Sequence, residues 1–261
     1  MGGEVSGTAV VFGDVHGESA LLRGLIDESR HRWGQDVAFF GVGDFIDRGK
    51  DSKGVIQILI DEGVQGILGN HELWFCQLIK HKKFNDGPLH PIMGGARTLH
   101  SYGLGIRWPQ KNVNRIPEDH REFFLGLPSH RKLEVGGQVY WLLHAGLGGS
   151  VGRDLYTALE KGWAERGLPG TPGDDILMQV AWESVADEML WNHMKVNKPD
   201  LYKFSEGVQV FGHTPLSEPM DGGHFIALDT GAGRSGRNRQ NRLSGVALHQ
   251  DGSREFITVG E

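Results

Sequence analysis

Cysteine is nearly absent: Cys76 is the only one in 261 residues. No disulfide can form within the chain, and a reducing cytoplasm is the expected setting. Long apolar runs are also missing. Stretches such as residues 139–143 fall far short of the ~20 residues a membrane-spanning helix needs. Residues 1–9 have neither a basic segment nor an apolar one, so no signal peptide is expected. There is no surplus of positive charge. The net charge is −6 and the sequence pI about 6.1, whereas a protein that grips nucleic acid by its backbone is usually basic. Nucleic acid and membrane are therefore set aside as partners, and a monomer or small oligomer is expected. Hydrophobic residues at 38% and charged residues at 23% exclude a disordered chain. No repeat or linker divides the sequence, so 1–261 reads as a single domain.

Glycine, by contrast, is abundant. Its 40 residues are about twice the usual ~7% share. Many of them punctuate the ends of short β-rich runs. Residues 8–12 lead into Gly13-Asp14-Val15-His16-Gly17, and 37–42 into Gly43-Asp44-Phe45-Ile46-Asp47-Arg48-Gly49. Residues 64–68 lead into Gly69-Asn70-His71-Glu72, 139–143 into His144-Ala145-Gly146, and 208–211 into Gly212-His213-Thr214-Pro215. Residues 225–228 lead into Asp229-Thr230-Gly231. Such runs read as strands buried on both faces. Between the first three lie helical faces at Leu21, Leu22, Leu25 and Ile26, then Val55, Ile56, Leu59 and Ile60. A third helix is expected through Leu73–Ile79, and a hairpin turning at Asp251-Gly252. The class is α/β (α+β) with a largely parallel sheet in the first half. Residues 82–135 and 150–205, the latter with a helical patch at 176–194, read as insertions forming a cap. Loops leaving the C-terminal ends of parallel strands gather at one edge, so six polar clusters would meet there.

The donor types define the chemistry. Asp14, His16, Asp44, Asn70, His144 and His213 offer carboxylate, imidazole and amide oxygen without thiolate. That mixture suits Mn²⁺, with Fe or Zn²⁺ as alternatives. Six donors exceed one tetrahedral site but suit two divalent ions sharing a carboxylate, which clamp a phosphoryl group and activate a water for direct attack. Arg48 offers a planar fork for phosphate oxygens. His71 is placed to protonate a departing alkoxide, with Asp47 to orient it. Each residue alone has a plainer reading: Asp47-Arg48 as a loop ion pair, Asn70 as a helix cap, His144 and His213 as structural histidines. Their joint placement after six buried strands argues against that. Cys76 reads as a buried small apolar residue, and Asp229 as support for the site.

These clusters, in this order, resemble the phosphoprotein phosphatase family of calcineurin-like metallophosphoesterases, in particular its bacterial branch. That branch includes protein phosphatases and symmetrical diadenosine tetraphosphatases. Met93-Gly94-Gly95-Ala96-Arg97-Thr98-Leu99 and Ser101-Tyr102-Gly103 are similar to the segment that follows the branch's third motif. The resemblance implies two packed mixed sheets flanked by helices in a four-layer sandwich with a helical cap. It implies one metal on Asp14, His16 and Asp44, and a second on Asp44, Asn70, His144 and His213. His71 with Asp47 would be the acid pair, and Arg48 a phosphate clamp. Asn70, Arg97 and His193 would also touch substrate. One departure stands out: Met189-Leu190-Trp191-Asn192-His193 places histidine where the branch carries a phosphate-binding arginine. Arg97, Arg234 or Arg237 would have to compensate. The substrate implied is a phosphorylated protein, at serine/threonine or with dual specificity. A dinucleoside tetraphosphate is the alternative, and a catalytically dead phosphate-binding scaffold the third reading.

Overall fold

Strand β2 (Ala9–Phe12) is apolar at every position because both of its faces are covered. Val10 and Phe12 pack among helices, whereas Ala9 and Val11 pack against a second sheet. The structure, a computed structural model, describes residues 3–147, 207–234 and 240–260. Its first sheet joins β2 to β3 (Ala38–Gly41) and β4 (Gln65–Gly66) in parallel. On the other side β2 pairs antiparallel with β10 (Arg242–Leu248), which turns into β11 (Arg254–Gly260). That hairpin reverses at residues 251–252, as expected. Helices α1 (Ser19–Trp33) and α2 (Ser52–Asp61) connect the parallel strands, and α3 (Asn70–His81) follows β4. Leu22, Leu25 and Ile26 of α1 and Val55, Ile56 and Leu59 of α2 turn into the core below this sheet.

The second sheet holds β1 (Gly3–Glu4), β5 (Arg131–Val135), β6 (Gln138–Leu142), β7 (Val208–Phe211), β8 (Met220–Asp221) and β9 (Phe225–Ala227). Their order across the sheet is β1-β5-β6-β7-β9-β8. Strands β6, β7 and β9 run parallel, so their C-terminal ends share one edge. Val11, Phe40, Val42 and Ile67 from the first sheet meet Tyr140, Leu142, Val210 and Ile226 from the second in one apolar layer.

The stretch 82–135, expected as part of a cap, is more deeply built in. Its helix α5 (Glu118–Gly126) packs against α2 and α3, with the Phe124 ring 4.9 Å from that of Phe75. Its last residues form β5, because Leu133 and Val135 face the core while Glu134 faces out. Helix α4 (Gly95–Ser101) also lies in this stretch. The rest of the expected cap, with the helical patch at 176–194, lies outside the described residues. Among the described residues no helix is long and apolar enough to cross a membrane.

Candidate functional site

The first sheet delivers Asp14 and His16 after β2, Asp44, Asp47 and Arg48 after β3, and Asn70 and His71 at the start of α3. The second delivers His144 after β6, His213 after β7 and Asp229 after β9. The backbone there is strained. Of six described non-glycine residues with positive φ, five are site residues: His16 (45°), Asp44 (54°), Asp47 (72°), Arg48 (61°) and His213 (65°). Left-handed backbone costs such residues about 1 kcal/mol or more each and persists only where surroundings enforce it. Close approach enforces it here: a side chain at Gly69 would strike the Asp44 backbone, and one at Gly212 the Asp14 carboxylate.

The donor atoms fall into two groups, His16/Asp44/His71 and Asp44/His144/His213, each with its atoms within 4.8 Å of one another. Asp44 belongs to both, and its two oxygens face different ways. Oδ2 lies 3.6 Å from His16 Nε2 and 3.8 Å from His71 Nε2, whereas Oδ1 lies 3.3 Å from His144 Nε2. His16 Nδ1 donates to the Ile46 carbonyl (3.0 Å) and His144 Nδ1 to that of Val42 (2.9 Å), so each ring turns Nε2 inward. Asn70 Oδ1 sits 2.9 Å from His144 Nε2 and 3.2 Å from His213 Nδ1. Asp14 adjoins the first group through His16 Nε2 (3.8 Å) and accepts the His213 N–H on both oxygens (3.1 and 3.2 Å). The geometric group on that side contains His71, where the resemblance implied Asp14.

The electrostatics are those of a buried acidic cluster. Burial, with Asp229 and Asp44 nearby, raises the Asp14 carboxyl well above its usual range. Burial also pushes Asp44 upward, but His144, His71 and His16 outweigh it and hold Asp44 well below the usual range. His144 shows the reverse balance. Burial lowers it, yet Asp44 and Asp14 prevail and push it up to about 10. His16 is lowered, first by burial and then by Arg48 and His71. An ensemble that draws a proton onto a fully buried imidazole is one that attracts cations.

Beside it runs a hydrogen-bonded chain. Asp47 Oδ2 accepts from His71 Nδ1 (2.7 Å) and Trp74 Nε1 (2.9 Å), and Oδ1 accepts from the Thr98 hydroxyl (2.5 Å). Arg48 donates to His71 Nε2 (3.0 Å) and His16 Nε2 (2.6 Å). A guanidinium has no acceptor, so both Nε2 atoms are unprotonated in this arrangement.

Sequence reasoning missed three supporting residues. Glu72 accepts four backbone N–H groups, from Asp44 (2.8 Å), Gly69 (3.0 Å), Phe45 (2.8 Å) and Ile46 (3.2 Å), and so pins the whole Asp44 loop. Burial and the Asp44 charge push Glu72 up to about 7. Trp74 and Thr98 hold Asp47. Glu72 stands three residues after Gly69, the capping-box spacing, which was the available signal; Trp74 follows His71 by one helical turn. Asp229, read as support, is buried, with Oδ1 on the Gly231 N–H (2.9 Å) and Oδ2 without a hydrogen-bond partner among the described residues. Arg97 is exposed on α4 and lines a cavity with Arg48 and Arg234. Cys76 is buried, and its thiol is raised by burial, then by Glu72. His193 and Arg237 lie outside the described residues.

Comparisons with known proteins give the family and the fold. A zinc-dependent endopolyphosphatase of Saccharomyces cerevisiae is 36% identical over 113 residues, 42% of this chain and 34% of its own length. Serine/threonine-protein phosphatase 1 of Salmonella typhimurium is 40% identical over 62 residues, 24% of this chain and 28% of its own. The chain thus spans about a third of the curated relatives it matches. A solved structure described as a diadenosine tetraphosphatase aligns over 99% of this chain and 97% of its own, with TM-score 0.59 and 20% identity, which speaks to the fold. The calcineurin-like phosphoesterase pattern matches residues 7–225. Since that match runs through both sheets and five of the strand-end clusters, the chain belongs to the calcineurin-like phosphoesterase family of phosphoric ester hydrolases.

Proposed function

We propose that the protein is a two-metal phosphatase that hydrolyses phosphate monoesters, with phosphorylated protein side chains as the first substrate class. The observation that carries this is Asp44: one carboxylate with its two oxygens turned to two separate donor groups. The donor set fits two divalent cations, with Mn²⁺ first and Fe or Zn²⁺ as alternatives. Its atoms are oxygen and imidazole nitrogen, and two of the rings are fixed by backbone carbonyls so that Nε2 faces inward. Asp14, His16 and Asp44 would hold one cation; Asp44, Asn70, His144 and His213 the other. Bound cations supply Lewis acidity and lower the pKa of an attacking water.

The remaining steps belong to side chains of this protein. Arg48 takes two phosphate oxygens with its fork. In doing so it leaves His71 Nε2, which is then free to carry a proton to the departing oxygen. Asp47, held by Trp74 and Thr98, keeps the His71 ring in the required tautomer and stabilises it when charged. Glu72 holds the strained Asp44 loop throughout.

Protein stripped of metal should be inactive on an aryl phosphate and regain turnover with Mn²⁺, and His71→Asn should remove most of that turnover. Phosphopeptides and diadenosine tetraphosphate offered side by side rank the two substrate readings. The second reading, cleavage of a dinucleoside tetraphosphate, draws on the near full-length alignment with a structure described as a diadenosine tetraphosphatase. An aryl phosphate left intact at every metal tried would overturn the phosphatase reading and favour the non-catalytic scaffold.

A further inference from the structure

Behind the acid pair lies a seam between two helices. Helix α2 starts at Ser52, and α4 carries Thr98. Both residues are fully buried. The N–H of Asp47, a residue held left-handed (φ 72°), donates to both hydroxyls, Thr98 Oγ1 at 2.9 Å and Ser52 Oγ at 3.1 Å. The hydroxyls lie 2.9 Å apart, and Thr98 Oγ1 is 2.5 Å from Asp47 Oδ1. A hydroxyl has one proton to give, and an ionised carboxylate only accepts. Asp47 already accepts from His71 and Trp74 on Oδ2, so Thr98 spends its proton on Oδ1. The Ser52 proton then goes to Thr98 Oγ1, its one acceptor among the described residues. The chain is directed. It runs from Ser52 through Thr98 to Asp47, with His71 at the far end.

The fold holds this chain together from outside. Ser101 Oγ accepts the Lys53 N–H (3.1 Å), one of the groups a helix leaves unpaired at its start, and donates to the Thr98 carbonyl (3.1 Å). Past the end of α4 the Tyr102 hydroxyl meets His120 Nδ1 of α5 (2.8 Å), and His120 Nε2 meets Gln57 of α2 (3.2 Å). Helix α4 is thus stitched to α2 at Ser52, at Lys53 and, through His120, at Gln57. Gly17 (φ 67°) completes the fit, because a side chain there would press on Ser52 Oγ and on the Gly49 backbone.

A hydroxyl that accepts a hydrogen bond donates a stronger one in a buried chain. We propose that Ser52 is a positioning residue for proton delivery. It commits the Thr98 hydroxyl to Asp47 Oδ1 and shares the Asp47 N–H. Oδ2 then stays aligned on His71 Nδ1, and the opposite nitrogen, Nε2, is turned to the departing oxygen. This rests on the phosphatase reading and adds to it a residue three hydrogen bonds away from the acid's ring.

The test pairs phenyl phosphate, whose leaving group needs a proton, with 2,4-dinitrophenyl phosphate, whose leaving group departs without one. Both are offered to the Mn²⁺-loaded protein. Alanine suits the first turn of a helix, so Ser52→Ala should fold. It should lower kcat/KM on the phenyl ester about 5- to 20-fold, at least about fivefold more than on the dinitrophenyl ester, a part of what general acid catalysis supplies. In a His71→Asn background the same change should cost less than about twofold on the phenyl ester, because the group it serves is gone. Thr98→Val should show the same selectivity, and Thr98→Ser, which keeps the hydroxyl, should recover most of the loss. Equal losses on both esters, or a loss that adds in full to that of His71→Asn, would overturn the assignment and leave the phosphatase standing.

The Trp74 indole N–H shares Asp47 Oδ2 with His71 and reads the carboxylate without turnover. Its proton resonance, assigned with Trp74→Phe, should move in Ser52→Ala and exchange with solvent at least about tenfold faster. An unmoved resonance would overturn the relay. Turnover of neither ester by wild type would overturn the phosphatase, and the indole resonance would still decide whether Ser52 holds Asp47.

Discussion

The two sheets furnish the site in different ways. The first supplies Asp14, His16, Asp44, Asp47, Arg48, Asn70 and His71 from one stretch, and secures them with its own residues: Glu72 holds the Asp44 loop, and Trp74 and Thr98 hold Asp47. The second supplies His144 and His213 from strands far apart in sequence and secures both on the first. His144 donates to the Val42 carbonyl, and the His213 N–H to the Asp14 carboxylate. One half is self-supporting, and the other takes its position from the first. Damage to the first half should therefore spread, whereas damage to the second should stay local.

The largest expected effect comes from the one residue common to both groups. Asp44→Asn removes the charge that both His16 and His144 face. Both metal equivalents should be lost on dialysis, as read by elemental mass spectrometry, and turnover should fall by more than about 10³-fold. Retention of one full equivalent would show that the halves are independent after all.

Next comes a paired change, one residue from each side. His213→Ala should cost about one metal equivalent and leave the other bound. His71→Asn should keep both and lower kcat by about 10²- to 10⁴-fold, the range of general acid catalysis. The geometry makes this contrast sharp, because His71 Nε2 lies as close to Asp44 (3.8 Å) as Asp14 does to His16 (3.8 Å). Metal loss in His71→Asn would move His71 from the acid pair into the coordinating set.

That ambiguity marks the limit of what could be read from sequence. Asp14, His16, Asp44, Asn70, His144 and His213 were recognisable because each follows a run of buried strand residues, and the structure gathers all six. Glu72 and Thr98 stand within quoted motifs without a role, and Trp74 only inside the expected third helix, because what they hold lies across the fold: Glu72 reaches back 28 residues to Asp44, and Thr98 reaches 51 to Asp47. Strand β5 was absorbed into a supposed cap because Arg131, Lys132 and Glu134 masked the alternation of Leu133 and Val135. The pairing of β6 with β7 and β7 with β9 could not be read at all, since order within a sheet depends on partners that local pattern does not name.

A smaller effect separates the halves by their protons. His144 is pushed up to about 10 by Asp44 and Asp14 against the cost of burial. A raised folded value for a histidine means stability fully present below its unfolded value near 6.5 and lost as pH rises through about 10. A cation taking Nε2 must displace that proton, so metal affinity should rise with pH. At pH 7, Mn²⁺ addition should release about one proton through this residue. Calorimetry in two buffers of different ionisation enthalpy reads the number, and His144→Gln should abolish the release. No proton release from wild type would mean that the second-sheet half is already neutral before metal arrives.

The smallest effect lies outside both halves and serves as their control. Glu62, at the C-terminal cap of α2, takes Arg23 and Arg30 from α1 on its two oxygens (2.5 Å each) and ties the two crossover helices together. The Arg30 hydrogen bond, with help from Arg23, lowers the Glu62 carboxyl despite partial burial. A depressed folded value means stability present above the unfolded value near 4.5 and lost as pH falls through the lower one. The side chains of Arg23 and Arg30 are 43% and 28% exposed, so the gain is screened to about 0.5–1 kcal/mol. Glu62→Gln should lower the melting temperature by a few degrees at pH 7, with the gap closing below about pH 4. Metal content and turnover should not change, because no site residue is held by this pair. If turnover fell along with stability, the helices beneath the first sheet would be setting the position of its loops, and the first half could no longer be regarded as self-supporting.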